Sequence, residues 1–221
     1  MTDTWQKNDY VDFYNRVYFF KEKEVQDYLS PLRLVPDDCF VDFGCGEARA
    51  LKAASTVVNL AVGIDVSKEQ LRRAEEELRG TDNVRLIEGD FLSCDLGELL
   101  FTKGAARKSL HHLTDTEKAI FFKKISKHFA PGALFIIEDG IFDFKRDELQ
   151  QNMPRILTEA PKYYGKKWDE IEESFLATIN EEFPTGAVEW SEALKAACFR
   201  TLEVKQRTCF YGSILAQKEV P

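Results

Sequence analysis

Residues 41–49 read Val-Asp-Phe-Gly-Cys-Gly-Glu-Ala-Arg, a pattern typical of a buried strand that breaks into a glycine turn and then a helix. Gly44 and Gly46 lack Cβ atoms, so a ligand can lie against the backbone of this turn. The helix that we expect to start near Glu47 points free N–H groups at such a ligand, which favours one that carries an anionic group. Asp42 lies just before the turn, at the end of the predicted strand.

Two further strands follow at the spacing of a parallel sheet with crossover helices. Residues 60–64 and 84–88 are short apolar runs, the first ending at Asp65 and the second followed closely by Asp90. The carboxyl ends of parallel strands meet at one edge of a sheet, where ligands of such folds bind. We therefore expect Asp42, Asp65 and Asp90 to line one crevice.

The next two strands differ in how clearly the sequence shows them. A fourth strand is expected within residues 99–106, but Lys103 and Gly104 interrupt its apolar pattern and predict a poor strand. A fifth strand over residues 134–137 is a clear apolar run. It ends at Glu138 and Asp139, which we expect to face the same crevice.

The pattern predicts one domain, because 221 residues with 44% apolar and 31% charged residues suit a single full core. Helical spacing of apolar residues fills the stretch after the fifth strand, and two closely spaced runs near the end predict a β-hairpin. The expected parts are a helical cap over 1–36, a ligand-binding core over 37–142, a helical insertion or lid over 143–184, and a last helix with a terminal hairpin over 185–221.

Charge and composition narrow the partners. The net charge of −8 makes nucleic acid an unattractive partner. No apolar run approaches the roughly 18 residues that cross a bilayer, so we expect no membrane association and a cytoplasmic protein. The five cysteines form no Cys-x-x-Cys pair, which favours reduced thiols over a disulfide framework and predicts no metal site. The sequence leaves the oligomeric state open.

Taken together, these motifs resemble the class I S-adenosylmethionine-dependent methyltransferases over roughly residues 38–217. The resemblance implies an α/β, Rossmann-like seven-stranded sheet in the order 3-2-1-4-5-7-6, with the last strand antiparallel and helices on both faces. Asp42, Gly44 and Gly46 match the first motif of the family, in which Ala48 replaces the third glycine. Thr102 stands where an aspartate is usual near the fourth strand, so this part of the pattern departs from the family.

The resemblance also assigns a cofactor, S-adenosylmethionine, with S-adenosylhomocysteine as product. Asp65 matches the residue that accepts bonds from the ribose hydroxyls, and Asp90 matches the residue that accepts one from the adenine amine. Val66 and Phe91 are expected to sandwich the adenine ring. The full predicted cofactor set is Asp42, Gly44, Cys45, Gly46, Asp65, Val66, Asp90, Phe91, Ala106 and Arg107.

The expected reaction is transfer of a methyl group to a small-molecule acceptor by in-line displacement. Positioning can do most of this work, so an obligate catalytic residue is not required. His111 and His112 are candidates for a general base, with a purely structural role equally open, and Asp139 is a candidate pocket residue. Two aromatic-rich segments are candidates for a lid over the crevice: Tyr10, Tyr14 and Tyr18, and Tyr163, Tyr164 and Trp168.

Three alternatives stand against this prediction. Nicotinamide dinucleotide binding needs a third Gly or Ala where Arg49 stands, and it does not call for the acids at 42 and 90. Arsenic methylation by paired thiols lacks any clustering of the cysteines. A non-catalytic S-adenosylmethionine-binding or interaction protein on the same fold remains open, because the sequence shows no compelling base.

Overall fold

The computed structural model describes residues 8–220, which form a mixed sheet flanked by helices. The first seven residues of the predicted cap lie outside the described residues. Among residues 8–220, no helix combines the length and apolar character that crossing a membrane requires. The helices are α1 (Asn8–Val17), α2 (Glu22–Leu29), α3 (Arg49–Ser55), α4 (Lys68–Glu77), α5 (Asp115–Ser126), α6 (Leu149–Tyr164), α7 (Trp168–Glu181) and α8 (Ala187–Ala196).

Seven strands form the main sheet: β1 (Cys39–Phe43), β2 (Leu60–Asp65), β3 (Val84–Glu88), β4 (Phe101–Arg107), β5 (Phe129–Asp139), β8 (Phe199–Thr208) and β9 (Tyr211–Lys218). Their order across the sheet is β3-β2-β1-β4-β5-β9-β8. Strand β9 is antiparallel to both of its neighbours, and the strands before it run parallel to one another. Two further short strands, β6 (Ile141–Phe142) and β7 (Thr185–Gly186), form a separate pair outside this sheet. The predicted order of the seven-stranded sheet and its antiparallel last strand are therefore confirmed.

The fourth strand corrects the prediction of a poor strand. Strand β4 is seven residues long and pairs with β1 on one side and β5 on the other. A Cβ atom on Gly104 would lie 2.4 Å from the ring of Phe135 and 2.6 Å from that of Phe129. Because glycine makes room for these two buried rings, it serves the packing of the sheet and does not interrupt the strand.

Thr102, which replaces the aspartate usual in the family, anchors the start of β4. Thr102 Oγ1 donates to Asp38 Oδ1 at 2.7 Å and accepts from the backbone N–H of Cys39 at 3.1 Å. These bonds join β4 to the first residue of β1. The departure at Thr102 therefore leaves the sheet intact.

Apolar layers cover both faces of the sheet, and a third cluster holds the insertion in place. This third cluster joins Phe142, the inner faces of α6 and α7, and residues 209–211 of the terminal hairpin. Phe175 of α7 packs on Phe210 with ring centroids 5.0 Å apart. The helices predicted within residues 143–184 thus pack at the carboxyl end of β5, beside the edge of the sheet where the carboxyl ends of the parallel strands meet.

Candidate functional site

A cleft opens at the carboxyl ends of β1, β2, β3 and β4. Its empty space, including the open mouth, is about 950 Å³. We call it the main cleft and define it by the predicted residues that line it: Gly44, Gly46, Asp65, Val66, Asp90, Phe91 and Arg107. The sheet edge therefore brings together residues from four separate strand ends, as the order of the strands requires.

The other predicted cofactor residues lie beside the main cleft or beneath it. Asp42 and Cys45 line a side recess that shares Gly44, Gly46 and Arg107 with the main cleft. Ala106 is fully buried in the hydrophobic core, whereas its neighbour Arg107 faces the cleft. Alternation along a strand explains this difference, because successive side chains point to opposite faces.

The glycine turn is fastened to β2 by backbone and carboxylate bonds. Gly44 donates its N–H to the carbonyl of Ile64 at 2.8 Å, and Gly46 donates to Asp65 Oδ2 at 2.9 Å. Asp65 Oδ1 accepts from the N–H of Ser67 at 2.9 Å. One carboxylate thus fixes both the turn after β1 and the start of α4, and its remaining lone pairs can accept further donors.

The helix after the turn begins later than predicted. The sequence places its start near Glu47, but α3 starts at Arg49 because Ala48 adopts the left-handed conformation, with φ 67° and ψ 24°. This conformation is uncommon for residues with a Cβ atom and is natural for glycine. Ala48 therefore occupies the backbone conformation that the family's third glycine would adopt with less strain.

The environment of Asp42 disfavours the ionised form of its carboxyl group. Burial and the nearby charge of Asp65 raise its pKa from 3.8 to about 7, although Arg107 acts in the opposite direction. Burial also raises the pKa of Asp65, while backbone N–H groups of Ser67 and Gly46 lower it. The edge of the sheet therefore concentrates negative charge where a cation would relieve it.

We expect Asp42→Asn to stabilise the protein at alkaline pH. A carboxyl that keeps its proton to about pH 7 in the folded chain, but releases it near 3.8 when unfolded, costs stability as pH rises between these values. Since one pKa unit is worth about 1.4 kcal/mol, the variant should gain at least about 1 kcal/mol at pH 8. Urea denaturation at pH 4 and pH 8 measures this, and most of the gain should be lost at pH 4, close to the carboxyl's ordinary pKa.

Asp82→Asn is the matched control, since it makes the same change at an exposed residue. It should leave the stability at pH 8 within about 0.5 kcal/mol of the parent, as surface substitutions usually do. An Asp42→Asn protein that is equally or less stable than the parent at pH 8 contradicts the assignment of a strained carboxylate.

A second space, the aromatic cavity, adjoins the main cleft and has about 700 Å³ of empty space including its mouth. The lid candidates Tyr10, Tyr14, Tyr18 and Tyr164 line it, together with Phe13, Phe175, Phe210 and Tyr211. Tyr14, Lys108 and His112 line both spaces. The two spaces therefore meet at these three side chains.

The remaining lid candidates lie behind the cavity wall. Tyr163 is 39% exposed and packs on Phe210 and Tyr211 at 6.0 and 5.8 Å between ring centroids. Trp168 stacks on Tyr164 at 6.2 Å. Both residues support the aromatic wall from outside.

His111 and Asp139 form a buried pair at the floor of the aromatic cavity. His111 Nδ1 lies 2.5 Å from Asp139 Oδ1, and Nε2 lies 3.2 Å from Glu182 Oε2. Burial alone lowers the pKa of His111, but the two carboxylates outweigh it and raise this pKa to about 10. His111 is thus an imidazolium at neutral pH, a charge state that does not suit the expected role of general base.

Asp139 is held by the backbone as well as by His111. Its Oδ2 accepts from the N–H groups of residues 109–111 at 3.2, 2.9 and 3.2 Å, and Oδ1 accepts from Gly140 at 2.7 Å. Burial raises its pKa, but His111 and these donors hold it at about 2. Asp139 therefore fixes the loop after β4 and orients the imidazole of His111.

The structure adds two charged residues that the sequence did not single out. Glu182, which follows α7, places its Oε1 3.2 Å from His112 Nδ1. The second residue is Lys108, whose pKa is lowered to about 7 by burial of its ammonium group and by the nearby charge of Arg107. The Nζ atom of Lys108 lies 4.2 Å from the ring centroid of Tyr18. Glu182 lies outside every local motif, because only tertiary contacts bring it to the cavity, whereas Lys108 directly follows the predicted cofactor residue Arg107.

Glu138, which the sequence places at the end of the fifth strand, accepts hydrogen bonds from three side chains. It accepts from Arg107 Nε at 2.9 Å, from Arg207 Nη2 at 2.5 Å and from the Tyr211 hydroxyl at 3.0 Å. Arg107 also lies over the ring of Phe20, 3.7 Å from its centroid. These contacts hold Arg107 rigidly between the main cleft and the side recess.

Comparison with known proteins places this geometry in context. A family model described as a methyltransferase domain matches residues 35–201. An uncharacterized methyltransferase of Geobacillus sp. (strain WCH70) is 27% identical over 150 residues, which span 68% of this chain and 67% of the relative.

Two solved structures share the fold at low sequence identity. Magnesium protoporphyrin IX methyltransferase from Synechocystis PCC 6803, solved with bound S-adenosylhomocysteine, is 12% identical with a TM-score of 0.67 and coverage of 99% of this chain and 98% of that one. The complex of the Haloferax volcanii Trm112 methyltransferase activator with a protein described as a methyltransferase gives 15% identity, a TM-score of 0.70 and the same coverages, 99% and 98%.

Proposed function

The chain belongs to the class I S-adenosylmethionine-dependent methyltransferases, and from this premise we propose that it transfers a methyl group to a small-molecule acceptor. One observation carries the proposal: the main cleft and the aromatic cavity meet at Tyr14, Lys108 and His112. A donor in the first space and an acceptor in the second would face each other across this junction.

The main cleft complements the donor group by group. The ribose diol would donate to Asp65, and the adenine amine to Asp90, whose Oδ1 already accepts from the N–H of Leu92 at 2.8 Å. Val66 and Phe91 line the same cleft and would hold the ring between them. The ammonium group of the methionine end would meet the side recess, where Arg107 offsets only part of the effects that raise the pKa of Asp42, so that a further cation is favoured there.

The proposed reaction is a single in-line displacement. The acceptor atom forms a bond to the methyl carbon while the bond from that carbon to the sulfonium sulfur breaks, which leaves S-adenosylhomocysteine. The positive charge on sulfur disappears, and the acceptor's proton passes to water. Holding the two reactants in line is worth on the order of 7–11 kcal/mol, so positioning by the two adjoining spaces supplies most of the catalysis.

The enclosure of the aromatic cavity supports a small acceptor. Its walls come from α1, the loop after β4, the end of β5, the insertion and the terminal hairpin. Mostly aromatic walls with a few polar groups, such as Lys108 and Glu182, are typical of sites that bind small ligands. The magnesium protoporphyrin IX methyltransferase shares the fold, and its name gives a small molecule as its acceptor.

We further propose that α1 and the insertion form a lid over both spaces. Helix α1 bridges the two sides: Asn15 and Gln70 exchange amide hydrogen bonds at 3.0 Å, and Lys167 Nζ donates to the carbonyl of Val17 at 2.6 Å. Arg16 also pairs with Glu170 of α7. The Arg16–Glu170 pair is exposed and the other contacts are part-buried, so these few polar links can open at modest cost.

Binding of S-adenosylhomocysteine should slow amide hydrogen exchange in α1 and in residues 164–182 by at least about tenfold, because the ligand fastens a segment that otherwise opens locally. Mass spectrometry of peptic peptides with and without the ligand measures this effect. Peptides from α8, which packs on the far part of the sheet, serve as the internal control. Unchanged exchange in both segments would remove the lid from the proposal.

The function itself is tested with S-adenosylmethionine carrying a labelled methyl group. The protein is incubated with cell extract divided by filtration into small-molecule and macromolecular fractions. The proposal expects label in the small-molecule fraction and none above background in the macromolecular one. Label in protein or RNA contradicts the small acceptor, and tight donor binding without any transfer favours the non-catalytic alternative.

A further inference from the structure

The floor of the aromatic cavity brings together three side chains of metal-binding type. One ligand atom from each of His111, His112 and Glu182 lies within 4.8 Å of the other two. The closest separations are 3.2 Å, from His111 Nε2 to Glu182 Oε2 and from His112 Nδ1 to Glu182 Oε1. In a tetrahedral site with metal–nitrogen bonds of about 2.0–2.1 Å, neighbouring ligand atoms are roughly 3.3 Å apart.

The orientation of His111 is the second observation that favours a metal. A histidine that binds a metal through one ring nitrogen almost always donates its other N–H to a carboxylate or carbonyl. His111 Nδ1 lies 2.5 Å from Asp139 Oδ1, which leaves Nε2 facing Glu182. Asp139 is in turn fixed by four backbone N–H groups. Asp139 therefore fixes the ring position and holds the Nδ1 proton, and a metal ion at Nε2 would displace the proton that faces Glu182 in the metal-free protein.

We propose that His111, His112 and Glu182 form a binding site for a divalent first-row metal ion of the zinc class, with Asp139 as the positioning residue for His111. Two imidazoles and one carboxylate suit zinc and its neighbours, whereas magnesium and calcium prefer oxygen ligands alone. Three protein ligands also leave at least one coordination position open, which is typical of a metal that contacts a substrate and not of a structural site.

The residues around the proposed site indicate which ligand could occupy the open coordination position of the metal. All three ligands and Asp139 line the aromatic cavity, and His112 also lines the main cleft. On the proposed function, an acceptor with a hydroxyl or carboxylate oxygen would bind the metal there and be held next to the donor's methyl group. A bound cation would also lower the pKa of that hydroxyl, so that it loses its proton more readily to water.

The site also joins two parts of the chain. His111 and His112 belong to the loop after β4, whereas Glu182 follows α7 at the end of the insertion. The same two segments are linked by a backbone bond from the N–H of Phe183 to the carbonyl of His111 at 2.9 Å. Metal binding would therefore fasten the insertion to the sheet edge.

Titration of chelator-treated protein with Co²⁺ tests the metal site directly. We expect visible d–d absorption bands that saturate at one Co²⁺ per chain, without the near-ultraviolet bands of thiolate ligands, and competition by Zn²⁺ in calorimetry. Glu182→Gln should weaken Zn²⁺ binding at least 100-fold. Asp139→Asn should weaken it 10–100-fold, as changes beyond the ligand shell typically do.

Glu181→Gln is the matched control, because it changes the preceding, exposed glutamate in the same way and should bind Zn²⁺ like the parent. Absence of saturable bands in the parent, thiolate bands, or equal Zn²⁺ affinity in Glu182→Gln and the parent overturns the proposal and leaves these residues as an ion-pair cluster only. Calorimetry with S-adenosylhomocysteine on the same metal-free sample separates the two proposals, since donor binding is expected there whether or not Co²⁺ binds.

Discussion

Asp65→Asn is expected to weaken S-adenosylhomocysteine binding at least about 100-fold. The parent carboxylate accepts from Gly46 and Ser67 and has lone pairs left for both ribose hydroxyls. An asparagine offers one oxygen and one NH₂ group, so one backbone N–H faces a donor and one ribose hydroxyl loses its acceptor. Two bonds to a charged acceptor, each worth about 1.5–3 kcal/mol, account for this loss.

Isothermal calorimetry measures the effect, with circular dichroism to show that the variant is folded. Asp82→Asn, an exposed residue in the turn before β3, makes the same chemical change away from the cleft and should bind like the parent. If folded Asp65→Asn protein keeps an affinity within threefold of the parent, Asp65 does not hold the ribose.

Gly44→Ala is expected to cost about 2–5 kcal/mol of stability and to abolish donor binding. Gly44 has φ +80°, which costs a residue with a Cβ atom roughly 1–2 kcal/mol. The new Cβ would also lie 2.4 Å from Ser109 Cβ, and this overpacking adds about 1–3 kcal/mol. Ser109 cannot move away freely, because its hydroxyl donates to the carbonyl of Phe43 at 2.7 Å.

Gly80→Ala separates the two contributions. Gly80 has nearly the same φ, +82°, but a methyl group added there would have no other atom within 4 Å, so only the backbone cost applies. Urea denaturation should show Gly44→Ala less stable than Gly80→Ala by at least about 1 kcal/mol, and the added change Ser109→Gly should recover part of that difference. Equal losses at the two glycines would show that the turn is not tightly packed against the loop after β4.

The main cleft could be predicted from the sequence because its residues sit in local motifs. Asp65 ends a recognisable strand and Asp90 closely follows one, while Asp42, near the end of β1, lines the adjoining side recess; the parallel arrangement of those strands brings their ends together. The sheet order was implied by the family resemblance and is confirmed. Local pattern and global fold agree in this half of the chain.

The errors arose where distant residues decide a local conformation. In the sequence, Gly104 interrupts the apolar pattern of the fourth strand. The rings of Phe129 and Phe135 that require a glycine there belong to β5, so the local sequence does not show the reason for it. The late start of α3 depends on the left-handed conformation of Ala48, which the residue type does not announce. In both places the propensity of the residue was a weaker influence than its tertiary surroundings.

The aromatic cavity was beyond sequence reasoning for a similar reason. Segments from distant parts of the chain build it, and Glu182 reaches His111 only because the insertion folds back on the loop after β4. The histidines were visible as candidates, but their partners were not. Without those partners, the sequence could not show that Asp139 and Glu182 hold His111 as an imidazolium.

A crystal structure of the protein with S-adenosylhomocysteine tests the central claim most directly. We predict the ligand in the main cleft, with its ribose on Asp65, its adenine between Val66 and Phe91, and its sulfur pointing to the junction at Tyr14, Lys108 and His112. S-adenosylhomocysteine bound elsewhere, or a main cleft that stays empty at saturating ligand, would contradict the assignment of this cleft as the methyl donor's site.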